Sequence, residues 1–422
     1  MNRLNTLRSD QLPAMEFDIF FSFSKMDLGQ GAPSDQLLYD NLFRQIRAAD
    51  QLGYNRAWVG EAHFSIRTEQ HKPEPLLPHF NGELCINTDI LQIASVAYPQ
   101  TKRIEVGSAI RNIIANGGPI AHAEAVRTYL TIHREELLTS GRKLNIGFGI
   151  GRFAYANEVY GFKPRNRVEE LLWNAVRALT LREAAEIFVR MLSGETLGTA
   201  DVMPKVIQKA EVKDQVVWSE ALQHAGLPSD AVSIIIAPLW EFDRVKLIPE
   251  EVDLSNLNLV LGSHDPQLQQ HINQWLPVKV FNLSVTPNHI IDQTHDRMRA
   301  CYHPSGGTWK RQYMPRTVMV FTCADAELTE AEQDAKAEVE ARDAMHAYWQ
   351  AMEGTVDQGK VESGMENAVY GSPAKVYRSI RERFHPEDCL MTWFDFNTND
   401  AAVVIKRMQA FMEHVAPLFK KM

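Results

Sequence analysis

Short apolar runs alternate with longer stretches of helical spacing along most of this 422-residue chain. Residues 17–24, FDIFFSFS, are apolar without a helical period, and residues 35–52 then place Leu38, Leu42, Ile46, Ala49 and Leu52 along one helical face. Gly53 closes that helix, and a second strand over 56–59 runs into Gly60, Glu61, Ala62, His63 and Phe64. Residues 65–82 carry His71, Pro73, Pro75, Pro78 and His79 with little pattern, as expected of an excursion over the mouth of a site. A helix over 89–97 precedes a third strand at 103–109, and a helix over 119–138 precedes a fourth at 144–148. A helix over 168–192 follows. Strands at 257–261, 278–285, 316–322 and 389–396, each with a helix behind it, complete the series.

Eight strand-helix units, with polar and glycine-rich stretches repeatedly following strands, predict an α/β chain folded as a (β/α)8 TIM barrel with its chemistry at the carboxyl face. The period weakens over 194–256, where VSIIIAPLW at 232–240 is isolated among prolines and charges, so that segment reads as an insertion within a single domain spanning 1–422. A doubly wound open sheet is the alternative. Its dinucleotide-binding form needs a GxGxxG turn near the start, whereas here the glycines lie on the fourth unit and position 152 is arginine. Polar residues 1–14 have no period and read as a loose arm.

Composition narrows the class of partner. With 45% hydrophobic and 23% charged residues the chain can bury a large core without metal or disulfide staples. A net charge of -9 without basic runs argues against nucleic acid and polybasic membrane binding, which leaves small molecules. Cys85, Cys301, Cys323 and Cys389 are widely spaced, as reduced structural thiols are. No apolar stretch reaches membrane-spanning length and the start has no signal-peptide core, so a soluble, cytoplasmic protein is expected.

The candidate chemistry centres on residues 144–162, LNIGFGIGRFAYANEVYGF. Gly147, Gly149 and Gly151 remove side chains where a ligand or another backbone comes close, and Arg152 follows them with a permanent cation and a planar fork of donors suited to a phosphate. The alternative is a glycine-rich buried strand followed by a solvated arginine. His63, His71, His79 and His122 raise the question of a metal, but no HxH, HExxH or compact acidic cluster is present, so no metal site is assigned. No GxSxG elbow points to a nucleophilic serine.

The segment NLFRQIRAADQLGYNRAWVGEAHF at 41–64, the strand RIEVGSA, the turn GFGIGRF with EVYGF behind it, and GSPAKV at 371–376 together resemble the bacterial luciferase-like flavin monooxygenases. The resemblance implies an eight-stranded barrel that uses reduced FMN or, in some branches, a deazaflavin. It implies that Arg152 and Ser263 meet the flavin phosphate, that Ala109 and Ile110 lie under the flavin ring, and that Gly149 and Gly151 border the cofactor. It also implies that His63 faces the pocket as the catalytic candidate. The family pattern is Glu-His-His-Phe, and here Glu61, Ala62, His63 and Phe64 stand in its place, so the first histidine is absent and Glu61 reads as a structural carboxylate. The implied activity is oxygenation of a small organic substrate with O2 and reduced FMN delivered by a separate flavin reductase, in a homodimer. The alternatives are hydride transfer with a deazaflavin, or a non-catalytic flavin-binding accessory protein.

Overall fold

The computed structural model describes residues 15–27, 31–75, 77–151, 153–353 and 355–419. The arm expected over 1–14 and Arg152 lie outside the described residues. The strands in chain order are β1 (Glu16–Phe21), β2 (Lys25–Met26), β3 (Arg56–Val59), β4 (Gly82–Glu83), β5 (Glu105–Asn112), β6 (Leu144–Gly149), β7 (Lys205–Gln208), β8 (Ser233–Ile236), β9 (Leu257–Leu261), β10 (Val278–Val280), β11 (Arg316–Thr322), β12 (Ala368–Gly371) and β13 (Cys389–Trp393).

Nine of these strands pair in parallel in the order β10-β9-β6-β5-β3-β1-β13-β11-β12. The flanks of that order meet. Asn282, just past β10, forms a parallel bridge with Arg316 at the start of β11. Its N–H donates to the Pro315 carbonyl at 2.9 Å and its carbonyl accepts from the Thr317 N–H at 3.3 Å. Eight parallel strands thus run round in a ring, with β12 laid against the carboxyl half of β11. β6, β9 and β11 are buried along their whole length, which is why they read as near-continuous apolar runs rather than alternating ones. Outer side chains of the ring meet helices: Phe17 of β1 lies edge-on to Phe411, and Phe148 of β6 packs at 5.2 Å from Phe188.

Inside the ring the strands stack in layers. At the amino end, Arg56 reaches Asp18 and Glu16 at 3.2 Å and Glu105 at 3.3 Å. The polar chain continues from Asn145 to Asn258 at 2.9 Å and on to Lys279 at 2.9 Å. Burial lowers the Lys279 ammonium to about 7, so this plug carries less charge than its residue names suggest. Above it sits an apolar layer of Trp58, Val260, Phe281 and Met391. The Trp58 and Phe281 rings meet edge to face at 4.7 Å. The amino end is therefore sealed, and the carboxyl end holds the partly exposed groups.

Several elements depart from the sequence reading. β5 continues to Asn112 because a register shift between Ser108 and Arg111 lets Arg111 and Asn112 pair with Phe148 and Gly149. The helix expected over 168–192 is broken at Leu172, whose side chain joins a small separate core with Val176, Ile207, Trp218, Leu222 and Ile234. The rest of that core comes from residues within 194–256, which form the antiparallel pair β7 and β8 and the helix Gln215–Ala225. Among the described residues no helix is long and apolar enough to cross a membrane.

Candidate functional site at the carboxyl ends of the strands

His63, Gly149, Gly151 and Ser263 follow or end β3, β6 and β9, and Ala109 lies within the carboxyl half of β5; these are four consecutive neighbours in the sheet. The fold thus lines up along one arc residues that are far apart in sequence. Arg152 follows Gly151 in the sequence and lies outside the described residues.

The floor of this arc is Ala109 and Ile110, half-buried and packed on the Trp58, Val260, Phe281 and Met391 layer. The peptide between them is cis. A Cβ at Gly149 or at Gly262 would stand 2.7 Å from the Ile110 Cδ1, and one at Gly147 would stand 2.4 Å from the Phe281 ring and 2.3 Å from the Ser108 carbonyl. The space left by these glycines is occupied by Ile110 and Phe281. Close approach was legible in the sequence: at Gly147 it is made by the Ser108 backbone carbonyl of β5 together with the Phe281 ring, and at Gly149 by the Ile110 side chain. Gly151 has another reason to be glycine: its φ is +76°, and a Cβ there would press on the Asn112 amide. Asn112 in turn donates to Asn157 at 2.7 Å, and Asn157 donates to the Ile150 carbonyl at 2.9 Å, which ties the loop after β6 to the end of β5.

Beside the floor lies a buried polar cluster that the sequence did not reveal. The Glu61 side chain is 1% exposed. Its Oε2 accepts from the Ser108 hydroxyl at 3.2 Å and from the Ile90 N–H at 3.3 Å. Its Oε1 has no hydrogen bond and stands 3.7 Å from an Arg111 nitrogen. Arg111 is 2.8 Å from Asp89 and gives its Nε hydrogen to His122 Nδ1 at 2.7 Å. Desolvation dominates over Arg111 and raises the Glu61 carboxyl to about 7, whereas burial and the Arg111 cation depress His122 to about 3. The sequence signal was Arg111 two residues beyond Ala109, at a strand end where a cation needs buried partners.

His63 is 7% exposed, and its Nε2 is buried without a hydrogen-bond partner. Its ring stands perpendicular to Tyr160 at 6.2 Å. Burial and Arg111 lower its basicity, so it is a neutral imidazole at neutral pH, able to accept a proton. At the other end of the arc, Ser263 Oγ accepts from the Asp265 N–H at 3.2 Å, which leaves the hydroxyl hydrogen available to a ligand oxygen. The exposed main chain of Gly262 adjoins it, and His264 Nδ1 is buried beside it without a partner. The Gly262 N–H is already given to the Phe148 carbonyl at 2.8 Å, so the groups left here for a phosphate are the Ser263 hydroxyl and the His264 imidazole.

Aromatic rings make the facing wall. Phe20 meets Trp393 at 5.1 Å, Trp393 meets Phe396 at 4.9 Å, and Phe396 meets Tyr348 at 5.2 Å. The excursion over 65–82 closes onto the wall as an apolar cap: Ile66, Leu77 and Phe80 pack with Met26, Tyr155 and Met352. Burial of these rings and the cap excludes water from one side of the mouth.

Comparison with known proteins places this geometry. Residues 15–211 match the model of the luciferase-like monooxygenases. The protein YwcH of Bacillus subtilis is 34% identical over 106 residues, which are 25% of this chain and 24% of that relative, so the match spans about a quarter of its length. Among solved structures, the monooxygenase RslO1 from Streptomyces bottropensis superposes with a TM-score of 0.63 at 15% identity, covering 96% of this chain and 100% of that one. The oxygenating constituent of 3,6-diketocamphane monooxygenase from Pseudomonas putida, solved with FMN, gives 0.55 at 15% identity over 96% and 98% of the two chains. A secondary alcohol dehydrogenase that depends on coenzyme F420 gives 0.51 at 12% identity over 95% and 98%. Residues 15–211, just under half of the chain, thus match the luciferase-like monooxygenase model, and the fold is shared almost end to end with these solved structures.

Proposed function

We propose that this protein is a flavin-dependent monooxygenase that uses reduced FMN and O2 to oxygenate a small organic substrate. The observation that carries the reading is the arc itself: an apolar floor at Ala109 and Ile110, with the Ser263 hydroxyl free at one end and the neutral, unpartnered His63 at the other. Ser263 and Arg152 would hold the phosphate. Ile110, seated by Gly149 and Gly262, would support the ring, and Gly151 would border it. Reduced FMN supplies the electrons that activate dioxygen. The chain contributes a dry enclosure, because the aromatic wall and the cap over 65–82 keep water from the ring, and the neutral His63 imidazole borders it with Nε2 unpartnered.

A separate flavin reductase delivers the reduced cofactor, and the enzyme works as a cytoplasmic homodimer. A second reading, hydride transfer with a reduced deazaflavin, draws support from Ala62, which removes one imidazole from the mouth, and from the fold shared with the enzyme that depends on coenzyme F420. Equilibrium titration with oxidised FMN and with coenzyme F420, followed by the same titration of Arg152→Ala, tests the cofactor assignment. Micromolar or tighter FMN binding that Arg152→Ala weakens supports the reading, and binding of coenzyme F420 alone replaces it with the second.

A further inference from the structure

We propose that Glu61 is a positioning residue for the flavin-binding floor, holding segment 108–111 of β5 at both ends in a way that depends on whether its carboxyl carries a proton. This rests on the flavin reading above. Ala109 and Ile110 are flanked by Ser108 and Arg111, and Glu61, two residues past the end of the adjacent strand β3, approaches both: Oε2 accepts from the Ser108 hydroxyl at 3.2 Å, and Oε1 stands 3.7 Å from Arg111 Nη1. The register shift of β5 falls at the same place, so main-chain pairing does not hold these residues as it holds the rest of the strand.

The two contacts differ in how firmly they are made. The Arg111 nitrogen lies 2.8 Å from Asp89 and 3.7 Å from Glu61, so the cation belongs to Asp89 and leaves Oε1 without a partner. A neutral Glu61 is stable in that arrangement. An ionised one, with its side chain out of water, gains most by drawing Arg111 toward itself. Arg111 cannot follow freely, because its Nε is bonded to His122 Nδ1 at 2.7 Å, and its main chain carries the end of the floor.

The charged and titratable groups around Glu61 come from three elements. Arg111 stands on β5, with His122 of helix Gly118–Ile132 behind it. Asp89 caps helix Ile90–Ala97 by accepting from the Leu91 N–H at 3.1 Å. Cys85 and His63 complete the surroundings. The thiol is pushed up to about 12 and stays protonated, and burial and Arg111 disfavour a charged His63, so Asp89 and Arg111 are the fixed charges that act on the carboxyl. The Glu61 carboxyl, raised to about 7 by burial, changes charge within the physiological range.

The test is the dissociation constant of oxidised FMN, read by flavin fluorescence between pH 6 and 8.5, for the parent and for Glu61→Gln, which imitates the protonated acid. The ratio of the parent constant to the variant constant is expected to rise about tenfold across that range, as the parent loses affinity on ionisation and the variant does not. Titration of the FMN phosphate affects both proteins equally and cancels in the ratio. A constant ratio overturns the proposal. Asp89→Asn keeps the helix cap and removes the competing carboxylate, so its loss of affinity should begin at lower pH than the parent's. If Glu61→Gln does not fold, an Asp89→Asn profile that coincides with the parent's overturns the proposal instead. A parent that binds FMN with no such change refutes only the role of Glu61, whereas a parent that binds no flavin at any pH refutes the flavin reading and this inference with it.

Discussion

Arg111 donates from Nε to Nδ1 of His122 at 2.7 Å, and His122 passes its Nε2 hydrogen to the Ala115 carbonyl at 3.0 Å. Because a guanidinium can only donate, the pair fixes the tautomer: His122 is neutral and carries its hydrogen on Nε2. A neutral imidazole thus orients the arginine that ends the floor of the site.

This pairing predicts a pH dependence of stability. His122 is depressed from 6.5 to about 3, so between those values the unfolded chain binds more protons than the folded one. Its contribution is complete above pH 6.5 and is lost as the pH falls toward 3. His122→Asn keeps an acceptor for Arg111 and cannot be protonated. Urea unfolding at pH 7.5 and pH 5 should show a smaller loss in the variant than in the parent, although the variant starts about 1–3 kcal/mol less stable because the Ala115 carbonyl loses its donor. Equal losses in the two proteins would contradict the assignment.

Glu61 acts with the opposite sign. Its folded value is raised from 4.5 to about 7, so the folded chain is the one that holds the proton between those values, and stability falls as the pH rises through them. Glu61→Gln should therefore gain stability relative to the parent between pH 5 and pH 8, on the order of 2–3 kcal/mol. Chemical denaturation at the two pH values measures it, and a relative loss would show that Arg111 stabilises the ionised carboxylate.

The glycines of β6 differ in what they tolerate. Gly147→Ala drives a methyl to 2.3 Å from the Ser108 carbonyl, which is backbone and cannot swing away, so a loss of about 1–3 kcal/mol is expected. Gly149→Ala meets only the Ile110 Cδ1, the far end of a flexible side chain. That variant should stay folded and lose FMN affinity because Ile110 is displaced, and Gly149→Ala with Ile110→Val should recover part of it. Thermal melts and FMN titration separate the two effects.

Ser263→Ala should weaken FMN about 5- to 20-fold while leaving riboflavin, which lacks the phosphate, unchanged. An equal effect on both ligands would mean that the hydroxyl holds the loop rather than the phosphate.

The ring of strands was legible because β1, β3, β6, β9 and β11 are short apolar runs, each followed by a helix whose apolar positions repeat at helical intervals. β12 was missed. Its four residues AVYG follow directly on helix Gln358–Asn367 and have no run long enough to stand out. Of the proposed site residues, the glycines and Arg152 drew attention by composition after an apolar run, whereas Ser263, Ala109 and His63 entered through the resemblance. The Glu61, Arg111, Asp89 and His122 cluster was not, because its four members lie on four different segments and only the packing of β3 against β5 brings them together. The glycine run signalled close approach correctly, but its occupant, Ile110, comes from the adjacent strand and leaves no mark near Gly147.

The central claim is that the arc from His63 to Ser263 binds reduced FMN and shelters its reaction with oxygen. Anaerobic titration of the protein with reduced FMN, followed by rapid mixing with oxygenated buffer and absorbance detection, tests it most directly. Stoichiometric binding, with flavin reoxidation at least tenfold slower than that of free reduced FMN and faster or more complete turnover when a substrate is present, is the predicted result. Absence of binding, or reoxidation at the rate of the free flavin, would contradict it.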